Sequence, residues 1–255
     1  MAAGAALITG ASSGIGTELA KLCARSGFDM VLVGRNRAAL EELARPWSAR
    51  ARVLAADLAD PAAPNSIFDQ LGSTSVEILI NNAGFGLRGP FAETDWAQEA
   101  ELIQVNVTAL AHLTKLFLPG MLHRRSGRIL NIASTAAFVP GPYMAAYFAS
   151  KAFVRSFSES LAGEVAGTGV TVTVLCPGAT RTAFAERAGM AETRLFRGAA
   201  MSAAEVAQIG FDAMMAGKRE AIAGARNRWM MFGARFAPRS VLAGITRRLN
   251  SDEKA

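Results

Sequence analysis

One stretch near the N-terminus limits the architecture more than any other. Ala5-Ala6-Leu7-Ile8 is a short apolar run, Thr9-Gly10-Ala11-Ser12-Ser13-Gly14-Ile15-Gly16 follows at once, and Leu19, Ala20, Leu22 and Cys23 then recur at helical spacing. The pattern reads as strand, glycine turn, helix. Glycines let a backbone approach a pyrophosphate closely, and a helix N-terminus offers unpaired N–H groups and a positive dipole end. Thr9, Gly10, Ser12, Ser13, Gly14, Ile15 and Gly16 are therefore expected to hold a dinucleotide.

Further strands are expected at Met30-Val31-Leu32-Val33, Val53-Leu54-Ala55-Ala56, Val76-Glu77-Ile78-Leu79-Ile80, Arg128-Ile129-Leu130-Asn131-Ile132-Ala133 and Val170-Thr171-Val172-Thr173-Val174-Leu175. The second ends in Gly34-Arg35-Asn36-Arg37, with no carboxylate to accept the ribose 2'-hydroxyls of NAD. Arg35 instead supplies a planar cation suited to a 2'-phosphate, with Asn36 or Arg37 as helpers, so NADP(H) is expected over NAD(H). After the third strand, Asp57-Leu58 is placed to meet the adenine amine. After the fourth, Asn81-Asn82-Ala83-Gly84 keeps a crevice open for a flat ligand. Pro177-Gly178 turns the chain after the sixth, leaving Thr180 and Thr182 near a carboxamide or phosphates.

Tyr147 and Lys151 stand four residues apart on a helical pattern, so a phenol and an ammonium share one face. A nearby cation stabilises a phenolate, and the pair is expected to lower the Tyr147 pKa below its usual value near 10. Ser134 follows the fifth strand and is expected to converge with Tyr147 at the same sheet edge. Asn106, inside a helical stretch, predicts a local kink or a bound water, because asparagine is a poor helix-interior residue.

Taken together these residues resemble the short-chain dehydrogenase/reductase family from about Leu7 to about Thr182. Thr9 to Gly16 is similar to its Thr-Gly-x3-Gly-x-Gly cofactor motif, and Asn81 to Gly84 to its Asn-Asn-Ala-Gly motif. Asn106, Ser134, Tyr147 and Lys151 match its catalytic tetrad. The resemblance implies one doubly wound Rossmann domain over residues 1–255, a seven-stranded parallel sheet with helices on both faces, and a homodimer or homotetramer built on the long helices. It also implies a mechanism. Tyr147 protonates a carbonyl oxygen as hydride arrives from the nicotinamide, Ser134 orients that oxygen, Lys151 holds the nicotinamide ribose, and Asn106 fixes a proton-relay water. The expected substrate is a small carbonyl compound or the matching alcohol, apolar in character. An NAD-dependent alcohol dehydrogenase of the same family and a non-catalytic dinucleotide sensor or scaffold are the alternatives.

Composition excludes other classes. No basic n-region precedes the first strand and no uncharged apolar run reaches bilayer length, so a cytoplasmic protein is expected. Cys23 and Cys176 read as reduced buried thiols, and His112 and His123 lack a third ligand in register, so no metal is expected. The net charge of +6 resides at the C-terminus: between Glu220 and Asp252 there is no acid but six arginines, Arg226, Arg228, Arg235, Arg239, Arg247 and Arg248. Nucleic-acid binding is therefore not expected of the fold.

Two segments are individual. Residues 182–200, with Phe184, Met190, Leu195 and Phe196, read as a mobile substrate loop, and Ser202-Ala203-Ala204-Glu205 as a capping box opening the next helix. Residues 226–250 read as basic amphipathic helices, with Trp229, Phe232 and Phe236 on one stripe and Val241, Leu242, Ile245 and Leu249 on the next after Pro238. Packing on the core or a second subunit is the first reading of these stripes. A lid over an apolar substrate with arginines for an anionic handle is the second, and weak contact with an anionic membrane surface the third.

Overall fold

The computed structural model describes residues 3–184, 188–190 and 200–251. Seven parallel strands form one sheet: β1 (Ala3–Thr9), β2 (Phe28–Gly34), β3 (Ala51–Ala55), β4 (Val76–Asn81), β5 (Gly127–Ile132), β6 (Val170–Cys176) and β9 (Glu220–Ile222). Their spatial order is β3-β2-β1-β4-β5-β6-β9. The order reverses beside β1, and such a switch opens a crevice at the carboxyl ends of the strands.

The strands carry near-continuous apolar runs because both faces are covered. In β1, Ala6 and Ile8 point into one core with Met30, Leu32, Ile78 and Leu130, while Ala5 and Leu7 point into the other with Val31, Leu79 and Ile129. Helices α1 (Gly14–Arg25), α2 (Arg37–Ala44) and α7 (Ala203–Met215) cover the first face. Helices α3 (Ala63–Leu71), α5 (Leu110–Arg124) and α6 (Ala145–Glu164) cover the second. Each fully buried aliphatic side chain is worth about 1.5–3 kcal/mol, so the two sandwiched cores fix the register of every strand.

Helix α4 (Trp96–Ile103) runs without interruption through a π-helical turn, Gln104–Ala109, into α5. The resulting 29-residue helix contains an 18-residue window of mean hydropathy 1.2, long and apolar enough by composition to cross a bilayer. Its apolar face is instead buried in the second core through Leu113, Phe117 and Met121, so it reads as an internal helix of the fold. The kink expected at Asn106 is this π turn, where one extra residue per turn rotates the asparagine side chain inward.

β9 carries no periodic signal in the sequence. It is three residues long, begins with a glutamate and pairs only with Val174, Leu175 and Cys176. A short parallel pair, β7 (Thr180–Arg181) with β8 (Met201–Ser202), ties together the two ends of the segment expected to be a mobile loop. Arg181 adds a bond from Nη1 to the Ala200 carbonyl at 2.6 Å. Residues 185–187 and 191–199 of that segment lie outside the described residues, among them Leu195 and Phe196. Ala188 and Met190 are buried against Tyr147.

The two C-terminal helices are α8 (Ala225–Ala234) and α9 (Arg239–Asn250). Packing of the expected stripes holds only in part within the chain: Trp229, Phe232, Phe236, Val241 and Ile245 are more than half exposed, whereas Leu242 and Leu249 are half-buried. The opposite face carries the contacts, with Met231, Thr246 and Asn250 buried. Thr246 Oγ1 donates to the Pro140 carbonyl at 2.6 Å and Asn250 Nδ2 to that of Pro142 at 2.9 Å, docking α9 on the loop that leads into α6.

Candidate active site

A cavity of about 660 Å³ opens along the carboxyl edge of the sheet. Strand order decides what meets there. From one side to the other the edge presents Asp57 and Leu58 after β3, Arg35 and Asn36 after β2, and Gly10, Ser12, Ser13, Gly14 and Ile15 after β1. Asn82, Ala83 and Gly84 follow after β4, Ser134 after β5, and Pro177, Gly178, Thr180 and Thr182 after β6. Tyr147 and Lys151 reach it from the first turns of α6, and all of these residues line the cavity.

The first βα turn is built for an anion. Gly14 takes a left-handed φ of +58°, and a β-carbon there would stand 2.9 Å from Thr182 Cγ2. Ser13 occupies the N-cap of α1 without a side-chain cap bond, the first turn holds no acid, and Ser13, Gly14 and Ile15 line the cavity, so the helix N-terminus is left uncapped beside it. A pyrophosphate fits that terminus.

Two residues expected to touch the cofactor do not line the cavity. Thr9 is buried, and its Oγ1 accepts from the backbone N–H groups of Asn82 and Ala83, both at 3.0 Å, while donating to the Ile80 carbonyl at 3.3 Å. It braces the β1 and β4 edges. Gly16 faces inward, where a β-carbon would lie 2.4 Å from the Gly10 carbonyl oxygen. Its role is close packing of α1 on the sheet.

The polar arm after β2 and β3 is partly engaged. Asn36 caps α2 by accepting from Ala39 N at 3.1 Å, which occupies its side-chain oxygen. Arg37 pairs with Glu41 at 3.5 Å and does not line the cavity. Arg35 stays more than half exposed at the rim, with Nη1 3.6 Å from Glu101 and 4.0 Å from Asp57. Asp57 also accepts from Ala59 N at 3.0 Å, so its carboxylate is shared between a turn and Arg35.

Asn106 is buried and does not line the cavity. Its Oδ1 accepts from Phe85 N at 3.1 Å, and its Nδ2 donates to the Phe85 carbonyl at 2.9 Å and to Ser150 Oγ at 3.1 Å. Each polar atom of the amide thus has a protein partner, and two of the three bonds fix the chain just beyond Gly84. A deeper network, not foreseen from the sequence, lies beneath it. Asn81 Nδ2 donates to Asn131 Oδ1 at 2.9 Å and Thr114 Oγ1 at 3.1 Å, and Asn131 Nδ2 donates to Ser158 Oγ at 2.9 Å. Only partners distant in sequence reveal it.

Ser134 caps a 3-10 turn, Thr135–Phe138, by accepting from Ala136 N at 3.1 Å, and its hydroxyl donates to the Pro177 carbonyl at 3.4 Å, beside Tyr147 in the cavity. Lys151 is buried. Its Nζ donates to the Ile132 carbonyl at 2.9 Å and stands 5.9 Å from the centre of the Tyr147 ring. The expected lowering of the Tyr147 pKa is corrected here. Burial pushes the phenol up to about 12, opposed by the Ser134 hydrogen bond, and burial pulls the Lys151 ammonium down to about 8. Desolvation, which disfavours whichever form is charged, is the largest cause of both shifts.

Beyond the polar centre the cavity is apolar. Met144 and Phe148 contribute from the start of α6, Phe184 leans on Tyr147 with ring centres 5.4 Å apart, and Met231, Leu242 and Leu249 close the far side. The C-terminal helices thus contribute their inner faces to the cavity wall. Cys23 and Cys176 are free and buried, and no metal-binding group of His, Cys, Asp or Glu occurs among the described residues.

This geometry agrees with what the chain is similar to. The short chain dehydrogenase family model matches residues 4–193. Sulfoacetaldehyde reductase 2 of Chromohalobacter salexigens is 39% identical over 184 residues, covering 70% of this chain and 73% of that protein. Very-long-chain 3-oxoacyl-CoA reductase of Laccaria bicolor is 38% identical over 175 residues, 66% of this chain and 52% of that one. A solved short-chain dehydrogenase from Sphingobium yanoikuyae in complex with NADPH superposes with a TM-score of 0.82 at 34% identity, covering 91% and 94% of the two chains. The chain is a member of the short-chain dehydrogenase/reductase family, an oxidoreductase with a nicotinamide dinucleotide cleft.

Proposed function

We propose that the protein reduces an apolar ketone or aldehyde with NADPH. The observation that carries this reading is the placement of Tyr147, Ser134 and Lys151 together in a cavity polar at the sheet edge and apolar beyond it. NADPH bound along the carboxyl edge would supply the hydride. The protein's own part is to bind the carbonyl oxygen, stabilise the charge growing on it and return a proton.

Two hydroxyls face that oxygen. Ser134 keeps its Oγ anchored by Ala136 N and is the donor that stays. Tyr147 is the donor that gives up its proton, and at a pKa of about 12 it is fully protonated at neutral pH. Lys151 keeps a positive charge beside the phenolate left behind, which lowers the cost of forming it in a desolvated site. Asn106 acts as a positioning residue for the Gly84-Phe85 backbone.

Support for NADPH comes from Arg35 at the rim and from the NADPH complex of the Sphingobium yanoikuyae relative. Support for an apolar substrate comes from Met144, Phe148, Phe184 and the inner face of α8 and α9. The two named reductases act on chemically distant carbonyls, so the lining carries this part of the reading. Self-association through the long helices belongs to the same reading: Phe153 on α6 is 40% exposed and stacks on Phe157. The decisive experiment follows NADPH absorbance over a panel of aliphatic, acyl and polycyclic ketones, with NADH in parallel. Turnover with NADPH is the expected result, and no turnover of any carbonyl would leave a binding-only scaffold.

A further inference from the structure

Half of the large hydrophobic side chains that the described residues expose fall within one short stretch: Trp229, Met230, Phe232, Phe236, Val241 and Ile245. Trp229, Phe232 and Phe236 form a continuous edge-to-face row, with ring centres 6.2 and 5.5 Å apart, turned away from buried Met231. At 3.6 residues per turn, Arg226 flanks this row on one side and Arg228 and Arg235 on the other. On α9, Val241 and Ile245 share an exposed face with Arg248. Among the described residues none of the six arginines pairs with a carboxylate, and residues 221–251 contain no acid.

An apolar stripe flanked by arginines matches the interface of an anionic lipid surface, where rings enter the acyl boundary and guanidinium groups stay among the phosphates. A second copy docking by this same face would bring two sets of six arginines together, so charge argues against it. The face also carries the rim of the cavity: Met230, Gly233, Ala237 and Ile245 are exposed or half-buried and line it.

We propose that α8 and α9 dock the protein on anionic lipid membranes and turn the apolar mouth of the cavity toward the bilayer, so that a lipid-dissolved carbonyl substrate enters from the acyl layer. The entry route rests on the reductase reading above, whereas the docking does not.

The test uses the full-length protein and sucrose-loaded vesicles of phosphatidylcholine with about 30% phosphatidylglycerol, against pure phosphatidylcholine, at low salt. Co-sedimentation with the anionic vesicles alone is expected. It should fall roughly 100-fold in the triple variant Arg226→Gln, Arg228→Gln, Arg235→Gln and be abolished by Trp229→Glu with Phe236→Glu. None of these five residues lines the cavity, so NADPH binding followed by fluorescence should stay unchanged, which shows the variants fold. Absence of vesicle binding, or binding that survives both variants, overturns the proposal. So does a wild-type dimer in sedimentation velocity that Trp229→Glu with Phe236→Glu makes monomeric, since a second copy would then cover the face.

Discussion

The Lys151 ammonium stands 5.9 Å from the centre of the Tyr147 ring and spends a hydrogen bond on the Ile132 carbonyl, 2.9 Å away, rather than on the phenol. Both groups are buried, so the free chain keeps Tyr147 neutral and poised to donate. Tyr147→Phe removes only the hydroxyl and keeps the ring packed against Phe184 and Phe148. It should leave NADPH affinity within about 3-fold and lower kcat by at least roughly 1000-fold, the scale of a general acid plus an oxyanion donor. Stopped-flow single turnover with near-normal hydride transfer would remove Tyr147 from the chemistry.

Lys151 illustrates function held at the expense of stability. Its pKa falls from 10.5 to about 8 on burial, so between those values the unfolded chain binds more protons than the folded one. Through this group stability rises as pH goes from about 8 towards 10.5, and the penalty is complete below about 8. Lys151→Met, of similar length and without charge, should therefore raise the melting midpoint of the cofactor-free protein by several degrees at pH 7, about 1–3 kcal/mol, while turnover is lost. A lower midpoint at pH 7 would show that the bond to Ile132 outweighs the desolvation cost.

Asn106 makes the opposite case. Every polar atom of its amide is bonded to protein, and Asn106→Ala would remove the partners of the half-buried Phe85 N–H and C=O. At about 1 kcal/mol for each of the two half-buried groups, the thermal midpoint should drop by roughly 4–8 °C. NADPH affinity should fall with it, because Gly84 lines the cavity one residue away. A variant that kept its melting midpoint and lost only proton-transfer rate would restore the water-relay role.

What could be read from the sequence follows from how local each signal is. Six of the seven sheet strands announce themselves by apolar runs, and the glycine turn by its junction with a helix; β9 does not, because Glu220, Ala221 and Ile222 owe their strand state to pairing with β6 alone. The residues that line the sheet edge were legible because each follows its own strand. The Asn81-Asn131-Ser158 network was not, since its members are joined only by packing. Burial was the other hidden quantity. Spacing placed Tyr147 and Lys151 side by side, but only depth in the fold decides that desolvation and not attraction governs their pKa values.

The capping box at the start of α7 was readable and gives a stability prediction independent of catalysis. Ser202 Oγ accepts from Glu205 N at 3.2 Å, and Glu205 Oε2 accepts from Ser202 N at 2.8 Å, which holds the Glu205 carboxyl below its usual value of 4.5. Ser202→Ala should cost about 1 kcal/mol. A depressed folded pKa contributes stability above the unfolded value and loses it as pH falls. The difference in urea midpoint between wild type and Glu205→Gln should accordingly shrink below about pH 4.5. A difference that is constant from pH 3 to 7 would show that the carboxylate charge plays no part.

On the NADPH reading, cofactor choice should turn on Arg35 and on its rim neighbour Glu101. Glu101 lines the same rim and stands 3.6 Å from the Arg35 guanidinium, so a 2'-phosphate approaching Arg35 meets a carboxylate already beside it. The pair is exposed, and such surface pairs are worth at most about 1 kcal/mol, too little to block a dianionic phosphate that Arg35 can grip with two N–H groups. Glu101→Gln removes the competitor and a like-charge repulsion together. It should lower the KM for NADPH by roughly 2- to 5-fold and leave that for NADH unchanged. Arg35→Asp places a carboxylate where the ribose hydroxyls of NAD would be accepted and the phosphate repelled. The ratio of kcat/KM for NADPH over NADH should then fall by about 100-fold or more. Steady-state kinetics with both cofactors decide it: an Arg35→Asp enzyme that still prefers NADPH would mean that the 2'-phosphate is recognised elsewhere along the cleft.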